Sequence, residues 1–543
     1  MSTVSADDPA YSRDRHSAEE SVTGRPFSPE SVARLARTPR IPVTLLSRRT
    51  DGRRGTLPSA DVAQGLAAGI DVIGELPGMY PEWLGDRCFT SVHGVRYPYV
   101  AGEMANGIST TVMVKDMARS GMLGFFGAAG LPLERIEAAT AALTGALRDD
   151  QPWGVNLIHT PGEPALEERT ADLLLARNVR RISASAFMEL TPAVVRCSAA
   201  GLSTDRAGHV VRRTHLFAKV SRPETAAAFM SPAPSALLTA LVERGQLSHE
   251  EAALAARVPV AQDITVEGDS GGHTDNRPLI SLLPRVLALR ERIQQRYDQS
   301  EAVRVGAAGG LGTPQSVAAA FALGAAYVVT GSVNQTAREA GISDEAKHML
   351  AAADLTDVIM APAADMFELG VKVQVLRRGS MFGVRALKLY DLYRTYDSLE
   401  ALPATERAVL ERDILRAGVA EIWAETARFW GEREPGQLER AAADPKHRMA
   451  LLFRWYLGRS SGWAITGDTR RSLDYQLWCG PALGAFNHWA AESFLADPAQ
   501  RTVVQIARNL LEGATVLTRA HQLRGLGLPV PDSAFSFTPR PLA

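Results

Sequence analysis

Three short stretches of this sequence hold residues whose types and spacing could do chemistry. In the first, Glu267-Gly268-Asp269-Ser270-Gly271-Gly272-His273, an imidazole ends a run of small and polar residues that follows the apolar run 264–266. An unperturbed imidazole titrates near pH 6.5, so at neutral pH it can hold a proton, release one or donate a hydrogen bond. In the second, the run 303–305 breaks into Gly306-Ala307-Ala308-Gly309-Gly310-Leu311-Gly312, and in the third, 327–329 breaks into Thr330-Gly331-Ser332. Glycine at a strand end lets a ligand approach the backbone closely, and unpaired N–H groups just beyond it favour an anion, so a phosphate fits there. Thr313 is placed to cap the following helix, with Pro314 in its first position. The plain alternative is a set of turn glycines and a structural histidine. Two consecutive strand ends of the same kind favour the functional reading.

Such residues need a scaffold that brings strand ends together. Apolar runs at 97–104, 123–126, 154–158, 181–186 and 216–220, with the three above, make eight strand signals, most followed by helix-like sequence. Their starts recur at roughly 25 to 50 residues, which predicts a (β/α)8 barrel over 97–342 with its chemistry at the C-terminal ends of the strands. A doubly wound open sheet is the structural alternative. A hairpin is expected around Asp205-Arg206-Ala207-Gly208, and a helical insertion at about 224–260, opened by a capping box at Ser248 and Glu251, is expected to wall the cleft. Residues 1–30 read as a disordered tail, and 31–96 as a cover segment without chemistry. Residues 343–543 read as a helical region packed on the barrel, holding Trp423, Trp430, Trp455, Trp463, Trp478 and Trp489. That cluster reads as a small packed core, or alternatively as a lid over a long apolar substrate.

Composition narrows the functional classes. The 543 residues carry 59 basic and 60 acidic side chains, a net charge of -1, which gives no overall attraction to nucleic acid or anionic membrane. Three cysteines without metal-ligand spacing support neither a disulfide framework nor a zinc site. No run of about 18 apolar residues is present, and the first thirty residues lack the apolar core of a signal peptide, so a cytoplasmic location is expected. The segment 306–312 has the wrong spacing for a Rossmann Gly-x-Gly-x-x-Gly turn. No cysteine between Cys197 and Cys479 could act as a loop nucleophile.

The motifs Asp269-Ser270-Gly271-Gly272-His273-Thr274-Asp275-Asn276-Arg277-Pro278, Ala307-Ala308-Gly309-Gly310, Thr330-Gly331-Ser332-Val333-Asn334-Gln335, Ala361-Pro362-Ala363-Ala364-Asp365-Met366-Phe367 and Asp474-Tyr475-Gln476-Leu477-Trp478-Cys479-Gly480-Pro481 resemble the PfaD family. These are the free-standing, trans-acting enoyl reductases of polyketide and polyunsaturated fatty acid synthases. The resemblance runs from about residue 80 to 517, and the barrel is similar to those of FabK-type enoyl reductases and nitronate monooxygenases.

The resemblance implies FMN as resident cofactor, NADPH as reductant and a carrier-bound 2-enoyl thioester as acceptor. Acyl carrier protein domains are the implied partners, and a homodimer is among the assemblies allowed. It implies that Gly309, Gly310, Gly331 and Ser332 hold the FMN phosphate, with Ser270, Gly271 and Gly272 beside them. Gly102, Met104 and Ala105 would then meet the ring, and Asn156 and Lys219 its polar edge, with Glu267 also among the cofactor-binding residues, unless Asn156 caps the next segment and Lys219 merely pairs with Glu267. His273 is expected to face the substrate in catalysis, and no metal is expected. A nitronate monooxygenase and a non-catalytic carrier-docking protein are the alternatives.

Overall fold

The computed structural model describes residues 26–63, 65–297 and 302–543, so most of the expected disordered tail lies outside the described residues. Eight strands form a closed barrel: β1 (Tyr99–Ala101), β2 (Leu123–Phe126), β3 (Gly154–Ile158), β4 (Arg181–Ser185), β5 (His215–Val220), β6 (Asp263–Glu267), β7 (Arg304–Ala308) and β8 (Val328–Thr330). Each pairs in parallel with its neighbours in sequence, and β8 closes on β1 through Val328–Tyr99 and Thr330–Ala101. The expected barrel is therefore present, and the open sheet is excluded. Strand ends lie within a few residues of those read from the sequence, because each apolar run stops at a residue that starts a turn.

The intervening helices begin where the sequence stops a strand. Pro164, Pro192, Pro223 and Pro314 each open a helix, and Thr110, Thr191 and Thr313 each cap one by accepting a backbone N–H. Proline suits that position because its missing N–H would have no intrahelical acceptor there. The short hairpin pairing Ser203–Thr204 with Val210–Val211 occurs where the Asp205 to Gly208 turn predicts it.

The floor of the barrel is plugged by the helix Arg87–His93, which lies before the expected barrel boundary at 97. Phe89 stacks on Tyr327 with ring centroids 4.3 Å apart, and Phe125 and Phe217 complete an aromatic core around them. Asp263 is fully buried beside this plug, receives both ends of the Arg304 guanidinium at 2.7 Å and lies 3.0 Å from His93 Nε2. The rest of the cover segment is a three-stranded antiparallel sheet with Val43–Arg48 central, and its apolar face packs with Ala520 and Leu523 of the long helix Val503–Gly525.

Beyond residue 343 the chain is not helical throughout. A β-hairpin, Val358–Pro362 with Lys372–Leu376, interrupts it, and the two-residue strand Gly272–His273 joins as a third strand, with His273 opposite Val373. The helices Val419–Arg433 and Pro445–Thr466 stand over the barrel mouth. The insertion helices Ser235–Glu243 and His249–Ala255 do not wall the cleft as expected. Among the described residues only Thr225 of the helices between 223 and 255 reaches it, and the C-terminal helices supply that wall instead.

Candidate active site

A cavity of about 1370 Å³ opens at the C-terminal ends of the strands. Every residue expected at the cofactor or the substrate lines it: Gly102, Met104, Ala105, Asn156, Lys219, Glu267, Ser270, Gly271, Gly272, His273, Gly309, Gly310, Gly331 and Ser332. The barrel supplies its base, the hairpin one side, and residues of 425–433 and 451–461 the top.

The loops after β7 and β8 are shaped by their glycines. Gly309 and Gly310 both have φ in the left-handed region, +82° and +71°. A Cβ on Gly309 would meet the Gly268 backbone at 2.8 Å, whereas Gly310 and Gly331 have open space where a side chain would stand. The loop after β6 is pressed as closely against the C-terminal segment, since a Cβ on Gly271 would lie 2.6 Å from Cys479 Cα. Gly480 N–H donates to Ser332 Oγ at 3.1 Å, and Gln335 donates to the Trp478 carbonyl. Ser270 Oγ is buried and has no hydrogen-bond partner among the described residues. A buried hydroxyl left unpaired costs about 1–3 kcal/mol, so a polar ligand atom is the natural partner.

On the opposite side of the rim, Lys219 Nζ lies 2.9 Å from Glu267 Oε1 and 3.7 Å from Glu103 Oε1. The pairing of Lys219 with Glu267 is thus real, and the ammonium still lines the cavity. Burial disfavours its charge, but the two carboxylates outweigh burial and hold its pKa above the ordinary lysine value. Burial raises the Glu103 carboxyl above the usual range, with Lys219 opposing, while its side chain accepts from Ser183 Oγ at 2.9 Å. Asn156 does not cap the following segment. Its amide donates to the Ser183 carbonyl at 3.0 Å and to Ser185 Oγ at 2.8 Å, which fixes the side chain across β4.

His273 Nε2 lies 3.1 Å from Asp365 Oδ1. Burial works against a charged imidazole, yet the charge and hydrogen bond of Asp365 prevail, and the His273 pKa is raised. The Asp365 carboxyl is likewise opposed by burial and held below its ordinary value by His273. The β-pairing with the hairpin sets this geometry, because it aligns His273 beside the strand that carries Val373 and places Asp365 in the connecting turn. Gln374 ties the two loops further, donating to Asp269 Oδ1 at 2.6 Å and to the Ser270 carbonyl at 2.8 Å.

The nitronate monooxygenase family profile matches residues 87–390. The chain belongs to the nitronate monooxygenase family. These are flavin-dependent barrels, and this member carries a second match over 396–475, to the inserted helical domain of [acyl-carrier-protein] S-malonyltransferase. It is similar to the enoyl reductase domain of MlnA from the macrolactin cluster of Bacillus amyloliquefaciens. That structure is 37% identical, with 82% of this chain and 99% of that one covered and a TM-score of 0.78. A polyunsaturated fatty acid synthase component of Thraustochytrium sp. is 46% identical over 467 residues, 84% of this chain and 31% of that protein. The polyketide biosynthesis protein PksE of Bacillus subtilis is 42% identical over 440 residues, 81% of this chain and 57% of that protein. This family member therefore spans about a third and just over half of those two relatives. The resemblance to trans-acting enoyl reductases read from the motifs is borne out.

Sequence reasoning missed several side chains at the site of this nitronate monooxygenase family member. Asp365 stood inside a quoted motif without a role, and its link to His273 spans 92 residues. Glu103 directly follows Gly102 at the end of β1, and an acidic residue at a strand end was a signal that could have found it. His159 and Glu167, which also line the cavity, had no signal beyond their position after β3.

Proposed function

We propose that this chain is an FMN-dependent, NADPH-using, trans-acting enoyl reductase that reduces the 2,3 double bond of enoyl thioesters on acyl carrier protein domains. The observation that carries the reading is the convergence, on one cavity, of two glycine strand ends, an orphaned buried hydroxyl and a histidine–aspartate pair under a helical roof.

The residues present fit FMN. Gly310 and Gly331 leave open space for a phosphate against exposed backbone, and Ser270 Oγ and Ser332 Oγ can donate to it. Lys219 lies where it would face the ring's polar edge and stabilise negative charge there, with Asn156 beside it. When bound, the flavin supplies hydride transfer from NADPH to the β-carbon of the enoyl group.

The protein's own contribution is to the other half of the reduction. Charge that develops on the thioester oxygen needs a donor, and the α-carbon needs a proton. Asp365 keeps His273 protonated above its ordinary pKa and occupies Nε2, so Nδ1–H is the donor for that oxygen. The helices over the cavity provide an apolar wall through Phe429, Trp430 and Trp455.

The test is anaerobic mixing of the purified protein with NADPH and then with a crotonyl-carrier thioester. Bleaching of a flavin absorbance by NADPH and its return with the thioester are expected. Turnover of a nitroalkane without NADPH, with oxygen consumed, would assign the site to nitronate oxidation instead. A protein that takes up no FMN would be a non-catalytic docking component.

A further inference from the structure

The cavity holds a second histidine–carboxylate pair that the proposed reduction does not use. His159 follows directly on β3, is 8% exposed and lines the cavity. Its Nδ1 lies 2.9 Å from Glu167 Oε2, and Glu167 also accepts from Thr160 N–H at 2.9 Å and from Thr191 Oγ1 at 2.6 Å. Burial opposes the Glu167 charge, but His159, Thr191 and Thr160 outweigh it and hold the carboxyl below its usual range. A carboxylate fixed by three donors pins the proton of His159 on Nδ1, which leaves Nε2 as an acceptor. The ring is held by Phe187, stacked at 5.0 Å between centroids and 27° between planes. Glu167 is thus a positioning residue and His159 the group it presents.

Depth along this segment points to what Nε2 meets. Asn156 near the end of β3 is 2% exposed, Pro161 is an exposed residue, and His159 lies between them along the chain. Three extended residues rise about 10 Å, so the imidazole stands well above the level of Asn156. The same loop is locked to the helical roof, because Arg433 pairs with Glu163 and Gln437 donates to the Gly162 carbonyl at 3.2 Å. The stem of a thioester whose reacting carbon lies at the rim runs along the cavity wall that His159 lines.

We propose that His159 Nε2 accepts a hydrogen bond from an amide N–H on the stem of the acyl thioester, so that Glu167 and His159 select a pantetheine-type arm over a bare alkyl thioester. This rests on the enoyl reductase reading for the identity of the stem. The test reads binding, so it stands apart from turnover.

Isothermal titration of the full-length protein would compare butyryl-pantetheine with S-ethyl thiobutyrate. A buried hydrogen bond lost on one side lowers affinity about tenfold or more. His159→Ala should therefore shrink the preference for the pantetheine thioester by about tenfold. His159→Gln, whose amide oxygen reaches where Nε2 stands, should recover part of it. Glu167→Gln keeps a carbonyl toward Thr160 N–H and Nδ1 and should retain the preference, whereas Glu167→Ala removes the acceptor that holds the proton on Nδ1 and should lose it. An unchanged preference in His159→Ala and Glu167→Ala, or equal losses on both thioesters, would overturn the proposal. Failure of the reductase reading would show separately, as reduced wild-type protein that crotonyl-pantetheine does not reoxidise.

Discussion

The two ends of the same barrel strands carry the same kinds of charged residue and treat them in opposite ways. At the floor, β6 begins with Asp263 and β7 with Arg304, which form a sealed two-bond pair with His93 on the remaining side. Burial would raise the Asp263 carboxyl, but His93 and Arg304 hold it well below the usual range, and burial keeps His93 itself below its ordinary pKa. At the rim, β6 ends with Glu267 and β5 carries Lys219 one residue before its end, and these line open space. Floor charges are spent on one another, while rim charges and the Ser270 hydroxyl keep capacity for a ligand. Burial alone therefore does not separate the two ends, and an unpaired polar atom beside a cavity does.

The largest effect should come from breaking the floor. Asp263→Ala leaves Arg304 buried without its carboxylate, and removal of one partner from a buried pair costs about 3–5 kcal/mol. Chemical denaturation should show that loss. Glu267→Ala at the rim should show much less, because Lys219 keeps Glu103 and reaches the cavity.

The reverse pattern is expected at the glycine loops after β7 and β8. Gly310→Glu places a carboxylate where the FMN phosphate is proposed, so flavin content should fall to background. The fold should survive, since a non-glycine residue at φ +71° costs only about 1–2 kcal/mol. Absorbance of the purified variant and its melting temperature check both halves. An unchanged flavin content would remove the phosphate from this loop.

Much of this contrast was legible beforehand on the rim side. Apolar runs announce strands, several of them by breaking into glycine, and the eight runs closed into the barrel. The floor was not legible, because Asp263 lies 41 residues from Arg304 and 170 from His93 and no local pattern links them. The hairpin at Val358–Pro362 was also hidden, since a motif reading of 361–367 masked its alternation and its third strand is two residues long. The insertion at 224–260 was misassigned to the cleft because helical sequence does not say which way a helix faces the mouth.

Within the rim, His273→Ala should slow reoxidation of the reduced flavin by a crotonyl thioester about a hundredfold, the low end for loss of an acid or donor. Reduction by NADPH should change far less in the same stopped-flow experiment. Equal slowing of both would place His273 in flavin binding rather than with the substrate.

The smallest effect tests whether Asp365 acts through charge. With Asp365→Asn the hydrogen bond can persist but the carboxylate that raises the His273 pKa is gone, so the alkaline limb of the reoxidation rate should move to lower pH. Stability should follow the same sign. A histidine whose pKa is raised by folding adds stability that is fully present below its unfolded value, near 6.5, and is lost as pH rises through the folded value. The depressed Asp365 carboxyl adds stability that is present above its unfolded value, near 3.9, and is lost as pH falls through the folded one. Wild type should therefore exceed Asp365→Asn in stability between those limits and converge with it on the alkaline side. Parallel curves across the whole range would mean that the pair contributes packing and no charge, and the imidazole would then need another source for its proton.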